Sequence, residues 1–180
     1  MPLNAPTIHR RNADISPALR NAALPEVLKR VYANRGIQNP AELSLTLDQL
    51  LPPQQLKGVT EAAELLADAI EGDARVLIVG DFDADGATSC AMAVSVLSQM
   101  GLREVAYLVP NRFEFGYGLT PEIVELAAAQ TPDLIVTVDN GISSIEGVAA
   151  ARALGISVLV TDHHLPGTSL PEAEVIVNPN

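Results

Sequence analysis

The residues best suited to chemistry follow a short apolar run. Val76–Val79 is wholly apolar, and Gly80 leads into Asp81, Asp83 and Asp85, three aspartates at alternate positions. An apolar run of this length that stops at a turn predicts a strand buried on both faces. Three carboxylates this close repel one another unless a cation neutralises them, or unless some are protonated or turned into water. A divalent metal ion is the simplest explanation.

Two other interpretations of the aspartates are open at the sequence level. The pattern Asp-x-Asp-x-Asp-Gly also begins an EF-hand calcium loop, but that loop requires a bidentate glutamate at its twelfth position and two flanking helices. The twelfth position here is Met92, and a predicted strand precedes the pattern. The second alternative is an acidic turn in which Asp81 and Asp85 cap the next helix without binding a metal.

Two further predicted strands also end in polar side chains. Leu134–Val138 precedes Asp139, and Ser157–Thr161 precedes the run Asp162-His163-His164. Alone, Asp139 is typical of a strand-to-helix turn, and a histidine pair is typical of a surface turn. The carboxyl ends of parallel strands share one edge of a sheet, so all three groups are expected to converge. Carboxylates accept manganese or magnesium and imidazoles favour transition metals, which predicts a site for two divalent ions.

Such a pair of ions suits the hydrolysis of phosphate esters. The ions generate the nucleophile from water and stabilise charge in the transition state, so no serine or cysteine nucleophile is needed. A neighbouring histidine that is not fully used in coordination can hold the phosphate or protonate the leaving oxygen. The single cysteine, Cys90, is predicted to belong to the core.

Strands and helices alternate along most of the chain. This alternation predicts an α/β fold with a doubly wound parallel sheet over residues 73–180, preceded by an N-terminal arm and small helical region over residues 1–72. Residues 1–24 show little periodicity and predict a loosely packed lead. Helices are predicted from residue 25 to about 35, from 39 through 47, and from 59 to 70. Ser143 and Glu146 have the spacing of a capping box.

Composition and charge limit the function. With 180 residues, 48% of them hydrophobic, the chain can bury a substantial core. No apolar stretch is long enough to cross a bilayer, which predicts a cytoplasmic protein without membrane contact. Residues 1–35 hold six of the eleven basic residues against two acids, a net charge of +4, and the rest of the chain carries −15. An acidic body argues against duplex binding through a broad basic face, but not against a nucleic acid held through metals and a few arginines.

Three ordered segments resemble a known family. Gly80–Ser89 (GDFDADGATS), Thr137–Ser144 (TVDNGISS) and Thr161–His164 (TDHH) resemble the first three motifs of the DHH phosphoesterase superfamily. Within it, Leu108–Leu119 (LVPNRFEFGYGL) and Asn178–Asn180 resemble segments of single-strand-specific 5′ to 3′ exonucleases. The resemblance implies metal-dependent hydrolysis of single-stranded DNA to mononucleotides in recombination and repair. It also suggests a monomer, with repair or replication proteins as partners.

The resemblance also implies roles for individual residues. The metal ligands, for Mn²⁺ or Mg²⁺, are expected at four positions: Asp83, Asp85, Asp139 and His163. His164 is expected beside the scissile phosphate, with Asp81 near the metals as a ligand or just behind one, and Asp162 orienting the histidine pair. Asn111, Arg112 and Tyr117 are candidates for holding substrate, because an arginine fork suits phosphate and a tyrosine face suits an unstacked base. A structural arginine and a loop-packing tyrosine are equally compatible with the sequence.

The sequence departs from the family pattern in two ways. Val79 stands where small-substrate members of the superfamily have a histidine, which implies that one metal site is weaker or built differently. The family also has a further metal-binding aspartate well downstream of the histidine pair, and then a second domain. The chain is therefore expected to be an N-terminal fragment, truncated within its DHH domain, and the function is expected to belong to the longer protein. Two alternatives are a DHH phosphodiesterase or pyrophosphatase acting on short nucleotides, and a non-catalytic binding module.

Overall fold

The computed structural model describes residue 9 and residues 11–180. Arg10 and residues 1–8 of the expected basic arm lie outside this described part. The chain divides into two compact units, Met1–Leu51 and Pro52–Asn180. The division expected between residues 72 and 73 stays a prediction. Within the described part, no helix is both long enough and apolar enough to span a membrane.

The first unit is built from short helical segments. Helix α1 (Pro17–Arg20) lies within the segment expected to be a loose lead; the Ser16 hydroxyl caps it, and Leu19 is fully buried. Helix α2 (Glu26–Asn34) confirms the predicted helix. The helix expected from 39 through 47 was wrong as one element, because the structure has two separate 3₁₀ turns, Pro40–Leu43 and Leu47–Gln49. A capping box formed by Asn39 and Glu42 caps the start of the first turn.

The second unit contains a five-stranded sheet in which every strand pairing is parallel, in the order β2-β1-β3-β4-β5. A 3₁₀ turn at Pro53–Gln55 precedes the first of its helices. The strands are β1 (Val76–Gly80), β2 (Val105–Leu108), β3 (Leu134–Val138), β4 (Ser157–Thr161) and β5 (Val175–Val177). The helices are α3 (Val59–Glu71), α4 (Ala84–Gln99), α5 (Arg112–Phe115), α6 (Pro121–Ala128) and α7 (Ile145–Ala153).

Helices cover both faces of the sheet. On one face, side chains of β1, β3 and β4 pack against α6 and α7 around Ile123 and Val148. On the other face, alternate side chains of β1 and β3 pack against α3 and α4 around Cys90 and Leu97. All five residues of β1 and of β3 are buried, as their apolar runs predicted. The α/β, doubly wound parallel fold is confirmed, and Cys90 belongs to its core.

The start of α7 differs from the prediction. Ser144 is its N-cap residue and makes no side-chain cap, so the capping box on Ser143 and Glu146 is absent. The Ser144 hydroxyl instead accepts a hydrogen bond of 2.9 Å from the backbone N–H of Leu119. This bond fixes the start of α7 to the segment that enters α6.

Candidate metal centre

The candidate site lies at the carboxyl edge of the sheet, where the chain reverses direction across it. The chain passes from β1 outward to β2 and then back to β3 on the other side of β1. In open α/β sheets, ligands bind in the crevice outside the carboxyl ends of the strands at such a reversal. The chain segments that follow β1, β3 and β4 carry the aspartates and histidines predicted from the sequence.

The turn after β1 holds the first aspartates. Asp83 is the N-cap of α4: its carboxylate accepts hydrogen bonds of 3.1 Å from the backbone N–H groups of Asp85 and Gly86. The bond from Gly86 lowers the pKa of Asp83, which stays ionised at neutral pH. The helix is therefore capped by Asp83, not by Asp81 or Asp85 as the acidic-turn interpretation required. Strand β1 leads directly into the turn where an EF-hand loop requires a helix, which excludes the EF-hand interpretation.

Asp139 follows β3 in an unusual backbone conformation. Its φ angle is +63°, in the left-handed region that non-glycine residues seldom adopt, and its side chain is 5% exposed. Its carboxylate lies 2.8 Å from Nε2 of His163. Burial raises the pKa of Asp139, and the nearby Asp83 carboxylate acts in the same direction against the bond with His163. A bound cation would offset both the burial of this carboxylate and its repulsion from Asp83.

The buried Asp162 carboxylate holds the histidine pair through hydrogen bonds. Its side chain is 1% exposed, and its two oxygens accept hydrogen bonds from the backbone N–H groups of Ile142, His163 and His164. It also lies 2.7 Å from Nδ1 of His164. Burial alone would raise the pKa of Asp162, but these hydrogen bonds outweigh it and the pKa is lowered. The ionised Asp162 in turn raises the pKa of His164.

The loop between β2 and α6 closes over the site. Arg112 forms an ion pair with Asp81, and its guanidinium lies 4.2 Å from the ring centre of Phe82 and 5.1 Å from that of Tyr117. The Tyr117 hydroxyl contacts the backbone carbonyl of Asp139 at 3.2 Å and Nδ1 of His164 at 3.0 Å. Burial and the surrounding carboxylates raise the pKa of Tyr117 to about 12. The loop is thereby tied to the ends of three strands.

Most of the predicted site residues come together. Two groups of side chains have ligand atoms within 4.8 Å of one another: Asp81 with Asp83 and Asp139, and Asp139 with His163 and His164. Asp139 belongs to both groups and joins them. Asp85 belongs to neither, although it lines an open cavity of about 420 Å³ together with Asp139 and His163. Asn111 caps the short helix α5 with its side chain.

Some supporting residues were not singled out from the sequence. The buried Asn140 side chain donates to the carbonyls of Val79 and Val138, so it ties the ends of β1 and β3 together at the chain reversal. Asn178 and Asn180 donate to the carbonyls of His164 and His163. The signal for these asparagines was present in the motifs TVDNGISS and NPN, but their partners depend on the folded chain.

The donor set fits a divalent ion. Two ligands at right angles on an octahedral ion with bonds of 2.0–2.1 Å lie about 2.9 Å apart. The Asp139 oxygen and His163 nitrogen are 2.8 Å apart, so both can bind one ion with little movement. Mixed carboxylate and imidazole donors suit manganese better than calcium. The cluster also gathers more negative than positive charge, since Arg112 is the only lysine or arginine paired with it among the described residues.

Comparison with known families defines the class of protein. The sequence profile of the DHH family, N-terminal domain, matches residues 75–180, which include all five strands and the whole candidate site. The chain therefore belongs to the DHH family. The residues that match the family are those of the second unit that form the sheet and the candidate site.

Individual relatives are more specific. The single-stranded-DNA-specific exonuclease RecJ of Salmonella typhimurium is 54% identical over 173 residues, covering 96% of this chain and 30% of that protein. The Thermus thermophilus protein of the same name is 39% identical over 145 residues, covering 81% and 21%. This chain thus spans about a third or less of the length of the relatives that it matches.

Two solved structures resemble the chain. One, of exonuclease RecJ bound to manganese, has a TM-score of 0.65 and 40% identity, over 72% of this chain and 32% of that one. The other, of Thermus thermophilus RecJ in complex with Mn²⁺, has a TM-score of 0.62 and 35% identity, over 82% and 20%. Both neighbours are manganese complexes of an exonuclease.

Proposed function

We propose that this chain carries the metal centre of a nuclease that hydrolyses single-stranded DNA from its 5′ end to mononucleotides. The observation that carries the proposal is the convergence of Asp81, Asp83, Asp139, His163 and His164 beside the Arg112 loop. The names of the relatives supply the substrate class, and the family resemblance supplies the direction of degradation. We further propose a cytoplasmic monomer that acts in recombination and repair with other DNA-processing proteins.

The proposed ligands are Asp83, Asp85, Asp139 and His163, with Asp81 next to them. Bound Mn²⁺ or Mg²⁺ ions supply Lewis acidity, which activates the attacking water and stabilises charge on the phosphate. The carboxylates hold the cations, and the strand ends fix the distances between the donors. Because Asp83 also caps α4, its position is set by the helix as well as by the strand before it.

His164 is the proposed proton donor. Its Nδ1 faces Asp162, which leaves Nε2 as the nitrogen available to substrate. Hydrolysis breaks a phosphorus–oxygen bond as water adds to phosphorus, and the departing sugar oxygen must gain a proton. The imidazolium of His164 can supply it, and the raised pKa keeps a larger fraction of His164 protonated near neutral pH.

The Arg112 loop is the proposed contact with the DNA strand. The guanidinium has one nitrogen, Nε, that is buried without a hydrogen-bond partner, while its other end is held by Asp81. Arginine binds phosphate through a planar fork, and the exposed rings of Phe82 and Tyr117 offer faces for unstacked bases. An arginine and two aromatic rings beside the metal ligands would allow an otherwise acidic protein to bind a single strand.

A degradation assay tests the proposal. The substrate is a single-stranded oligonucleotide labelled at its 5′ end, with Mn²⁺ present. The first labelled product should be the mononucleotide, and labelled strands shortened from the 3′ end should not precede it. The protein should be assayed both as this chain and in a form that spans the full length of its relatives, with duplex DNA and metal chelation as controls. Intact single-stranded DNA combined with hydrolysis of dinucleotides by the longer form would instead favour a phosphodiesterase of short nucleotides.

A further inference from the structure

We propose that Tyr117 is a positioning residue whose hydroxyl holds His164 in a single tautomer, with the proton on Nδ1 and with Nε2 directed at the substrate. This inference rests on the proposed function only for the role of His164. The tautomer itself follows from the contacts of three side chains and one carbonyl. The role differs from the base contact expected from the sequence, because it uses the hydroxyl and not the face of the ring.

The direction of each hydrogen bond follows from the donors available. The Tyr117 hydroxyl has one proton, and the Asp139 carbonyl 3.2 Å away can only accept. With its proton used there, the hydroxyl must accept from the His164 Nδ1 atom, 3.0 Å away. Nδ1 therefore carries a proton.

Asp162 favours the same tautomer. Its carboxylate oxygen lies 2.7 Å from Nδ1 of His164 and, when ionised, can only accept. The Nδ1 proton is thus shared between two acceptors that come from different parts of the chain. One acceptor, Asp162, belongs to the turn after β4, and the other, Tyr117, belongs to the loop before α6.

The two acceptors have different consequences for the ring. Asp162 lies two residues from His164 and is held by the backbone N–H of Ile142, so it is one of two acceptors that share the Nδ1 proton. Tyr117 is 47 residues away in sequence, and its hydroxyl also binds the end of β3. The two rings pack edge to face, with centres 5.7 Å apart and planes at 78°. The hydroxyl therefore links the histidine that faces the substrate to the carbonyl of a proposed metal ligand.

The first test measures the tautomer and needs no activity. Long-range proton–nitrogen NMR spectra of the chain, recorded where His164 is neutral and assigned with His164→Gln, should show protonated Nδ1 and unprotonated Nε2. In Tyr117→Phe, which keeps the ring and loses the hydroxyl, the difference between the two nitrogen shifts should narrow. Tyr107→Phe is the matched control, since Tyr107 lies exposed on β2. Two results would overturn the proposal. One is a His164 spectrum that is unchanged in Tyr117→Phe, and the other is a wild-type chain in which neutral His164 carries its proton on Nε2.

The second test measures catalysis in the form that spans the length of the relatives. Tyr117→Phe should lower kcat about three- to tenfold, the effect of one lost hydrogen bond, with KM changed less than twofold. Unchanged kcat would contradict the positioning role, and so would raised KM with normal kcat, which indicates a hydroxyl that binds substrate. If the protein degrades no DNA, the proposed function fails, and the NMR experiment still decides the tautomer.

Discussion

At the scale of single residues, Asp139 best shows how stability and function oppose each other. Its side chain is buried, its φ angle is +63°, and it lies beside the Asp83 carboxylate. Without a cation, burial and the Asp83 carboxylate disfavour the ionised aspartate in the folded chain, and the left-handed backbone adds a cost that does not depend on ionisation. Active sites commonly contain such destabilised groups, because the ligand supplies the missing interaction.

Replacing Asp139 by asparagine should therefore stabilise the metal-free chain. Asparagine tolerates the left-handed conformation and removes the buried charge, so the free energy of unfolding at pH 7 should rise by about 0.5–2 kcal/mol. The raised pKa of Asp139 means that the ionised form costs stability above that pKa. The gain should therefore shrink as the pH falls below the ordinary carboxyl value of 3.8, where the aspartate is protonated in both states.

Denaturant unfolding with a chelator present, at pH 7 and at acidic pH, measures this difference. Asp133→Asn is a suitable control, because Asp133 is an aspartate paired with Arg75 next to the amino end of β3, away from the site. A metal-free Asp139→Asn chain less stable than wild type at pH 7 would show that the carboxylate is not a source of strain.

Sequence reasoning worked for these residues where it depended on strand ends. Parallel strands bring their carboxyl ends together, so the meeting of Asp83, Asp139 and His163 needed no knowledge of side-chain conformation. The bond between Tyr117 and His164 and the ion pair between Arg112 and Asp81 could not be predicted in the same way. Both depend on the path of a loop, and a loop's path is set by contacts such as the cap made by Asn111.

At the scale of elements, the apolar runs determined the strands and short polar contacts determined the helix ends. The three central strands, β1, β3 and β4, are runs rich in valine, leucine and isoleucine, which pack well in a buried sheet. The capping box predicted on Ser143 and Glu146 was wrong because the N-cap of α7 is Ser144, whose hydroxyl accepts from Leu119 and makes no cap. Helix α1 was missed because four residues are too few to show a periodic pattern.

The close approach of α4 to β1 gives a prediction at this scale. A Cβ atom added to Gly86 would overlap the backbone of Asp81, so α4 could not keep its position at the end of β1. Gly86→Ala should destabilise the chain by about 1–3 kcal/mol, as overpacking does, and should weaken Mn²⁺ binding by displacing Asp83. Thermal unfolding and metal titration measure the two effects.

Gly167→Ala is the control for this change, because a Cβ atom there meets only ordinary contacts. It should leave both stability and metal binding as they are. Normal Mn²⁺ affinity in a folded Gly86→Ala chain would show that the position of α4 does not set the site.

At the scale of the whole molecule, the sheet order explains why residues distant in sequence form one site. The chain reverses across the sheet between β1 and β3, and Asn140 ties those two strand ends together. The sequence predicted a doubly wound parallel sheet from the alternation of strands and helices. It did not predict which strand lies beside which, because that order depends on how the helices pack on the two faces.

The central claim is that three strand ends build one metal site, and a calorimetric Mn²⁺ titration of the chain tests it most directly. The wild-type chain should show saturable binding, and both Asp83→Ala and His163→Ala should lose at least about tenfold in affinity. Asp133→Asn should bind as the wild type does. Binding that is unchanged in both Asp83→Ala and His163→Ala would contradict the claim, because these two residues are 80 positions apart, follow different strands and share only the proposed site.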